Sequence, residues 1–322
     1  MQAFKKATIA AMTVAAIFSA QQVLAKTVKV TMTAMENNIQ TNGKMLGGSD
    51  TMAAWTFDGT SPGKVVRVKE GDIVDFTLVN PAKNKNSHAM DFHAAQVNVL
   101  DEFAPVKPGH SKHFTFKAKV PGVFMYHCGA SPMVQHIARG MYGLIIVDPK
   151  AGYTKAFPKP DREYVLVQQQ YFPDVENYGA MLNDANAWKG ALINGQAFHY
   201  DPVHDANKGH DVLEAKPGER VRIYFVNANI NLPVALHPIA SIWDRVYING
   251  NPANTLYGVQ TYNVAVAEAV TVDLVTPKDK EVAGIAIVDH SMNAALRGAI
   301  TVLVSKKDAD PKKGRNGNLV LK

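Results

Sequence analysis

The 322-residue chain contains one cysteine, Cys128, and its neighbours suggest a chemical task for it. It closes the run Tyr126-His127-Cys128, with His136 following after seven residues and Met141 after four more. Upstream, Ser87-His88-Ala89-Met90-Asp91-Phe92-His93 places two further imidazoles around a carboxylate. A thiolate, two imidazoles and a thioether at one point make the donor set of a blue (type 1) copper centre, where sulfur softness selects copper and tunes its potential. His88, Cys128, His136 and Met141 supply that set, the last three on one Cys-x7-His-x4-Met loop. Taken singly, a cysteine beside a histidine is usually core plus surface, and a methionine after a glycine is usually packing. The four together are far more selective than any one of them.

His93 and His127 are left over. Adjacent side chains on a strand face opposite ways, so His127 must point away from a metal held by Cys128. This predicts a second metal whose ligand is joined to the first site through one stretch of backbone, a short covalent route for an electron. His93 can turn away from His88 and join His127. Two imidazoles do not complete a metal site, so a third ligand has to come from elsewhere. His110, His113, His199, His204 and His210 lack convergent spacing and read as surface residues.

The elements that must position these groups are short. Apolar or alternating runs punctuated by Gly, Pro and Asn predict strands, among them 65–68, 73–79 and 113–116. Helical pattern is confined to pieces near 133–138 and 177–188. An internal repeat organises the whole: Val68–Asn80 recurs as Ala215–Asn227, and Pro121–Cys128 as Ala283–His290, which sets His290 in the register of Cys128. Each copy then returns through an apolar strand, 143–147 or 299–304. The expected fold is all-β, two consecutive cupredoxin-like Greek-key β-sandwiches. Domain one is expected over 26–150 with the blue site, a linker over 151–160, domain two over 161–306, and a solvated polar tail over 307–322.

Residues 1–25 read as a signal peptide: Lys5 and Lys6, an apolar stretch from Ala7 to Ala20, then small residues in Val23-Leu24-Ala25. That stretch is too short to span a bilayer and no later segment qualifies, so the expectation is a periplasmic protein with no transmembrane segment. Removing it takes two lysines and no acid, and the formal charge of +6 drops to about +4. So mild and scattered a surplus implies no nucleic-acid partner. With one cysteine, no internal disulfide can form.

Through these motifs the chain resembles the copper-containing nitrite reductases, especially the shorter-loop group of neisserial type. His-x2-Asp-x-Phe-His, Tyr-His-Cys and His-x4-Met carry the resemblance, which extends over essentially all of the chain after residue 25. It implies a homotrimer of two-domain subunits with two coppers per subunit, a type 1 copper inside domain one and a catalytic type 2 copper between subunits. It also implies that His88, Cys128, His136 and Met141 hold the type 1 copper. The type 2 copper would be held by His93 and His127, with His290 from a neighbouring subunit. Asp91 and His237 match the family's catalytic pair, Ile239 the apolar residue that shapes nitrite binding, and Thr261 the residue that orients His237. Pro238 departs from the family pattern, which has an aliphatic residue there. The implied reaction is dissimilatory reduction of nitrite to nitric oxide and water. One electron is relayed through Cys128-His127 and supplied by a small periplasmic cytochrome c or cupredoxin.

Two other readings compete. A laccase-type multicopper oxidase needs His-x-His pairs and a His-Cys-His run, whereas this chain has His127-Cys128-Gly129 and no His-x-His. An exported electron-transfer cupredoxin with a decorated second domain would have no use for His93, His127, His290, Asp91 and His237 together. Two coppers per subunit, against one, separates these readings.

Overall fold

The computed structural model describes residues 25–203 and 211–314. All of the segment read as a signal peptide except Ala25 lies outside the described residues, as do His204, His210 and everything from 315 onward. None of the described helices is long and apolar enough to cross a membrane.

The chain folds into two cupredoxin-like β-sandwiches. The first is built from β1 (Thr27–Gln40), β2 (Thr51–Phe57), β3 (Val66–Lys69), β4 (Ile73–Asn80), β5 (Asp91–Phe92), β6 (His110–Lys117), β7 (Gly122–His127) and β8 (Tyr142–Asp148). Its sheets are ordered β2-β1-β4-β6 and β3-β8-β7-β5. The second comprises β9 (Arg162–Tyr171), β10 (Gly190–Ile193), β11 (Leu213–Ala215), β12 (Arg220–Asn227), β13 (Val234–Pro238), β14 (Trp243–Ile248), β15 (Thr255–Val259), β16 (Tyr262–Val264), β17 (Ala269–Val275), β18 (Val282–Asp289) and β19 (Ile300–Ser305). Here β10-β9-β12-β17 repeats β2-β1-β4-β6, and β11-β19-β18-β13 repeats β3-β8-β7-β5. The duplication extends to strand direction, since β1 runs parallel to β4 and β9 runs parallel to β12. Three short helices, α1 (Met133–Ala138), α2 (Tyr178–Asn183) and α3 (Met292–Ala295), sit in connections.

Period-two alternation gives β7 two different faces. Phe124 packs against the first core and Tyr126 lies within it, alongside Phe76, Phe92, Phe114 and Phe116. Val123 and Met125 face the other way and join Leu144, Ile146, Val165, Val167 and Val226 in a layer shared with the second sandwich. Each such aliphatic side chain taken out of water stabilises the contact by roughly 1.5–3 kcal/mol, so the two sandwiches pack as one body.

A polar cluster flanks that layer. Arg67 on β3 forks onto Asp148 at 2.8 and 2.9 Å and onto Glu163 of β9 at 3.1 Å, and the Tyr224 hydroxyl donates to Glu163 at 2.7 Å. Deeper in the second sandwich, Arg222 pairs with Asp273 at 2.7 and 2.9 Å and lies 3.8 Å over the ring of Phe157, in the connection between β8 and β9.

The chain departs from its sequence pattern at two places. The tail is not simply solvated: Ala309 is buried, the Asp310 N–H donates to Glu214 at 2.7 Å and the Gly314 N–H donates to Asp211 at 2.9 Å. Neighbouring carboxylates give this polar stretch acceptors that composition does not reveal. The echo that set His290 opposite Cys128 is out of phase. In β18 the inward positions are Ile285, Ile287 and the buried Asp289, whereas His290 is exposed. The cause is a register shift between Val282 and Ile285, a bulge that the matched glycines conceal.

Candidate metal centres

Among the described residues, two groups have ligand atoms within 4.8 Å of one another: His88, Cys128 and His136, and separately Asp91, His93 and His127. Consecutive residues of one strand end therefore serve different clusters.

The first cluster is buried. Cys128 Sγ lies 3.1 Å from His136 Nδ1, and His88 Nδ1 lies 3.3 Å from that same nitrogen, so both imidazoles turn Nδ1 toward the sulfur. His88 is set by a reciprocal pair of backbone bonds with Val106, at 3.1 and 2.7 Å. His136 comes from α1, entered through Pro132. Met141 is fully buried, and its carbonyl accepts from the Cys128 N–H at 3.0 Å, which keeps it beside the cysteine.

Burial pushes the Cys128 thiol up to about 11, against the pull of the Ala89 and Ala130 amides. It pushes the His136 imidazole down to about 3, helped by the nearby His88 and Arg139 charges. His88 is also lowered by burial, in spite of Glu36. Neutral imidazoles beside a single thiol, with a thioether at hand, are a donor set suited to copper. Two residues that the sequence did not flag complete the surroundings. Glu36 Oε1 lies 3.4 Å from His88 Nε2, and the Trp55 ring packs 4.5 Å from that of His136. Both come from the β1–β2 hairpin, far upstream of any motif.

The second cluster sits on the other face of β7. His127 Nδ1 lies 3.1 Å from the Cys128 carbonyl, and its Nε2 lies 3.1 Å from His93 Nε2. The carbonyl can only accept, so it fixes the proton on Nδ1 and leaves the Nε2 lone pair for a metal. Asp91, paired with His127 across the β5–β7 ladder, brings Oδ2 to 3.8 Å from that Nε2. His93 is exposed and His127 is buried. Although one side of His93 is open to solvent, desolvation of the ring among its neighbours, together with the charge of His127, lowers its pKa, and Asp91 opposes the shift.

His237 and His290 form a third place, on the second sandwich, with ring centroids 5.1 Å apart. Within one chain they do not join the Asp91, His93 and His127 group. His237 Nδ1 is 2.7 Å from the Gln260 carbonyl and 3.1 Å from Thr261 Oγ1, so Nε2 is the free nitrogen. The carbonyl, the nearer of the two, is a backbone atom and carries no sequence signal. Pro238 ends β13, where its missing N–H breaks little of the ladder, and Ile239 follows with 45% of its surface exposed. Of the remaining histidines, His113 meets Asp75 at 2.5 Å on the surface and His110 is exposed.

The multicopper oxidase family matches residues 24–152. A copper-containing nitrite reductase from Neisseria meningitidis serogroup B is 38% identical over 197 residues, covering 61% of this chain and 50% of that protein. The chain thus spans half the length of that relative. The enzyme of the same name from Alcaligenes xylosoxydans is 34% identical over 227 residues, covering 66% of this chain and 68% of that protein. Among solved structures, a copper nitrite reductase from Nitrosomonas europaea superposes with a TM-score of 0.84 at 53% identity, covering 92% of this chain and 100% of that one.

Proposed function

The chain belongs to the copper-containing nitrite reductases, and from that membership we propose that it reduces nitrite to nitric oxide and water, consuming one electron and two protons. The observation that carries this reading is the division of labour at the end of β7: Cys128 belongs to one metal-ready cluster and His127 to another. An electron carrier needs only the first.

His88, Cys128, His136 and Met141 would hold one copper. His93 and His127 would hold the second, completed by His290 of a neighbouring copy in a homotrimer. Two observations favour that assembly: among the described residues no third imidazole joins His93 and His127, and His290 stands exposed. Bound there, copper would supply one-electron redox chemistry at the buried site and a cationic anchor for the nitrite anion at the other. The His127–Cys128 peptide offers a short covalent path for the electron between the two ligand sets.

Asp91, once protonated, would hydrogen-bond a nitrite oxygen and hand it a proton; its carboxyl group borders the His93–His127 pair without being consumed by it, which supports that role. His237, with Nδ1 tied to Gln260 and Thr261, would take up a proton on Nε2 and, as the imidazolium, pass it on as the second proton once a neighbouring copy brings it to the site. Ile239 would form an apolar wall that restricts how nitrite sits. The donor would be a small periplasmic cytochrome c or cupredoxin, with residues 1–25 directing export.

The test is copper stoichiometry with nitrite-dependent nitric oxide formation on purified protein. Two coppers per chain and nitric oxide release support the proposal. One copper and no turnover would leave the electron-carrier reading in its place.

A further inference from the structure

Glu36 and Trp55 face each other as one rung of the β1–β2 ladder, and each reaches a different imidazole of the Cys128 cluster. Trp55 packs on His136, as described above, while the Glu36 carboxylate lies 3.4 Å from the outer nitrogen, Nε2, of His88. The same oxygen of Glu36 accepts the Lys85 N–H at 2.9 Å, the Asn86 N–H at 2.8 Å and the Asn86 side-chain amide at 3.1 Å. The carboxylate is therefore clamped to the loop that carries His88, and its side chain is only 17% exposed. Because His88 turns Nδ1 toward Cys128, a metal bound there leaves the proton on Nε2, facing Glu36.

We propose that Glu36 is a positioning residue that holds the reduction potential of the Cys128 copper down through its charge on the His88 ring. The inference rests on the reading that His88, Cys128 and His136 bind copper. A carboxylate on the far nitrogen of a ligating imidazole fixes the ring orientation and raises its basicity, which favours the more highly charged metal. The carboxylate is half-buried, so its negative charge, only partly screened by solvent, acts in the same direction. The opposing cation, the Arg139 guanidinium, lies 4.5 Å over the Trp55 ring on the His136 side, and no cation among the described residues pairs with Glu36.

The test is a redox titration of the copper-loaded, full-length protein, following the thiolate-to-copper absorption band, for wild type and Glu36→Gln. Gln keeps an acceptor oxygen for the Lys85 and Asn86 amides and removes the charge. The expected result is a higher potential, copper affinity weakened roughly 10–100-fold and the band retained. A Glu36→Gln potential equal to wild type overturns the proposal, since a purely structural clamp would not move it. Should that variant fail to fold, Glu36→Asp, whose shorter side chain draws the charge back from His88, is titrated the same way. A raised potential supports the role and an unmoved one overturns it. Absence of the band in loaded wild type would instead sink the copper reading itself, and this inference with it.

Discussion

Asp91 and His127 are direct partners across an antiparallel ladder, and the carboxylate stops 3.8 Å short of the imidazole Nε2. That gap exceeds hydrogen-bonding distance, so the carboxylate stays free to serve a third party placed between them. Asp91→Asn preserves shape and removes the transferable proton. Nitrite turnover should fall roughly 10²–10⁴-fold, the usual worth of a positioned general acid, with both coppers retained. Metal analysis beside a nitric oxide electrode checks this, and full activity in the variant would exclude Asp91 as proton donor.

Cys128→Ala should abolish the visible band and electron entry while copper at the His93–His127 site persists. In the wild type, the metal-free thiol with its pKa of about 11 must lose a proton to become a ligand. Below that value the metal displaces one proton, and apparent affinity climbs about tenfold per pH unit. The His136 imidazole, held near 3, contributes no competing slope above acidic pH. Copper titrations at several pH values, followed by absorbance, measure the slope, and a flat profile would contradict thiolate ligation.

His290→Ala should empty the second copper position and leave the colour of the first. Because the two imidazoles that share the site lie elsewhere in the chain, the loss should also be restored in mixed assemblies. Co-expressing His290→Ala with a His93→Ala, His127→Ala double variant pairs one intact half-site with the other. Partial recovery of nitrite turnover is expected, and its complete absence would argue against a site shared between copies.

Glu163→Gln should loosen the joint between the sandwiches. Burial raises the Glu163 pKa, but Arg67 and the Tyr224 hydroxyl outweigh it and leave the carboxyl below its ordinary value. A lowered carboxylate pKa stabilises the fold fully above the unfolded value, about 4.3, and that stability is lost as pH falls through the folded value. The variant should lose roughly 1.5–3 kcal/mol near neutrality and show a shallower decline below about pH 4. Denaturant titrations across that range would reveal both effects, or neither if the pairing contributes nothing.

Much of the architecture was legible in the sequence because duplication and alternation are local patterns. The Val68–Asn80 repeat corresponds to β3–β4 and β11–β12, and the short helices fall at 133–138 and 178–183. The residues that the fold gathers into clusters, His88, Cys128 and His136 and, apart from them, His93 and His127, were legible because metal chemistry restricts residue choice. Glu36, Trp55 and the Gln260 carbonyl were not. They reach the sites through a hairpin crossing or a backbone atom, and neither leaves a spacing to read.

The bulge near Gly284 has a consequence for how such proteins change over time. Alternation has only two phases, so one added residue in β18 exchanges everything downstream between interior and exterior. His290 gains its outward aspect this way, at the cost of sending Asp289 inside, where Gln168 and the Ala235 N–H must accommodate it. An insertion or deletion of one residue there would relocate His290 from surface to core without altering any histidine.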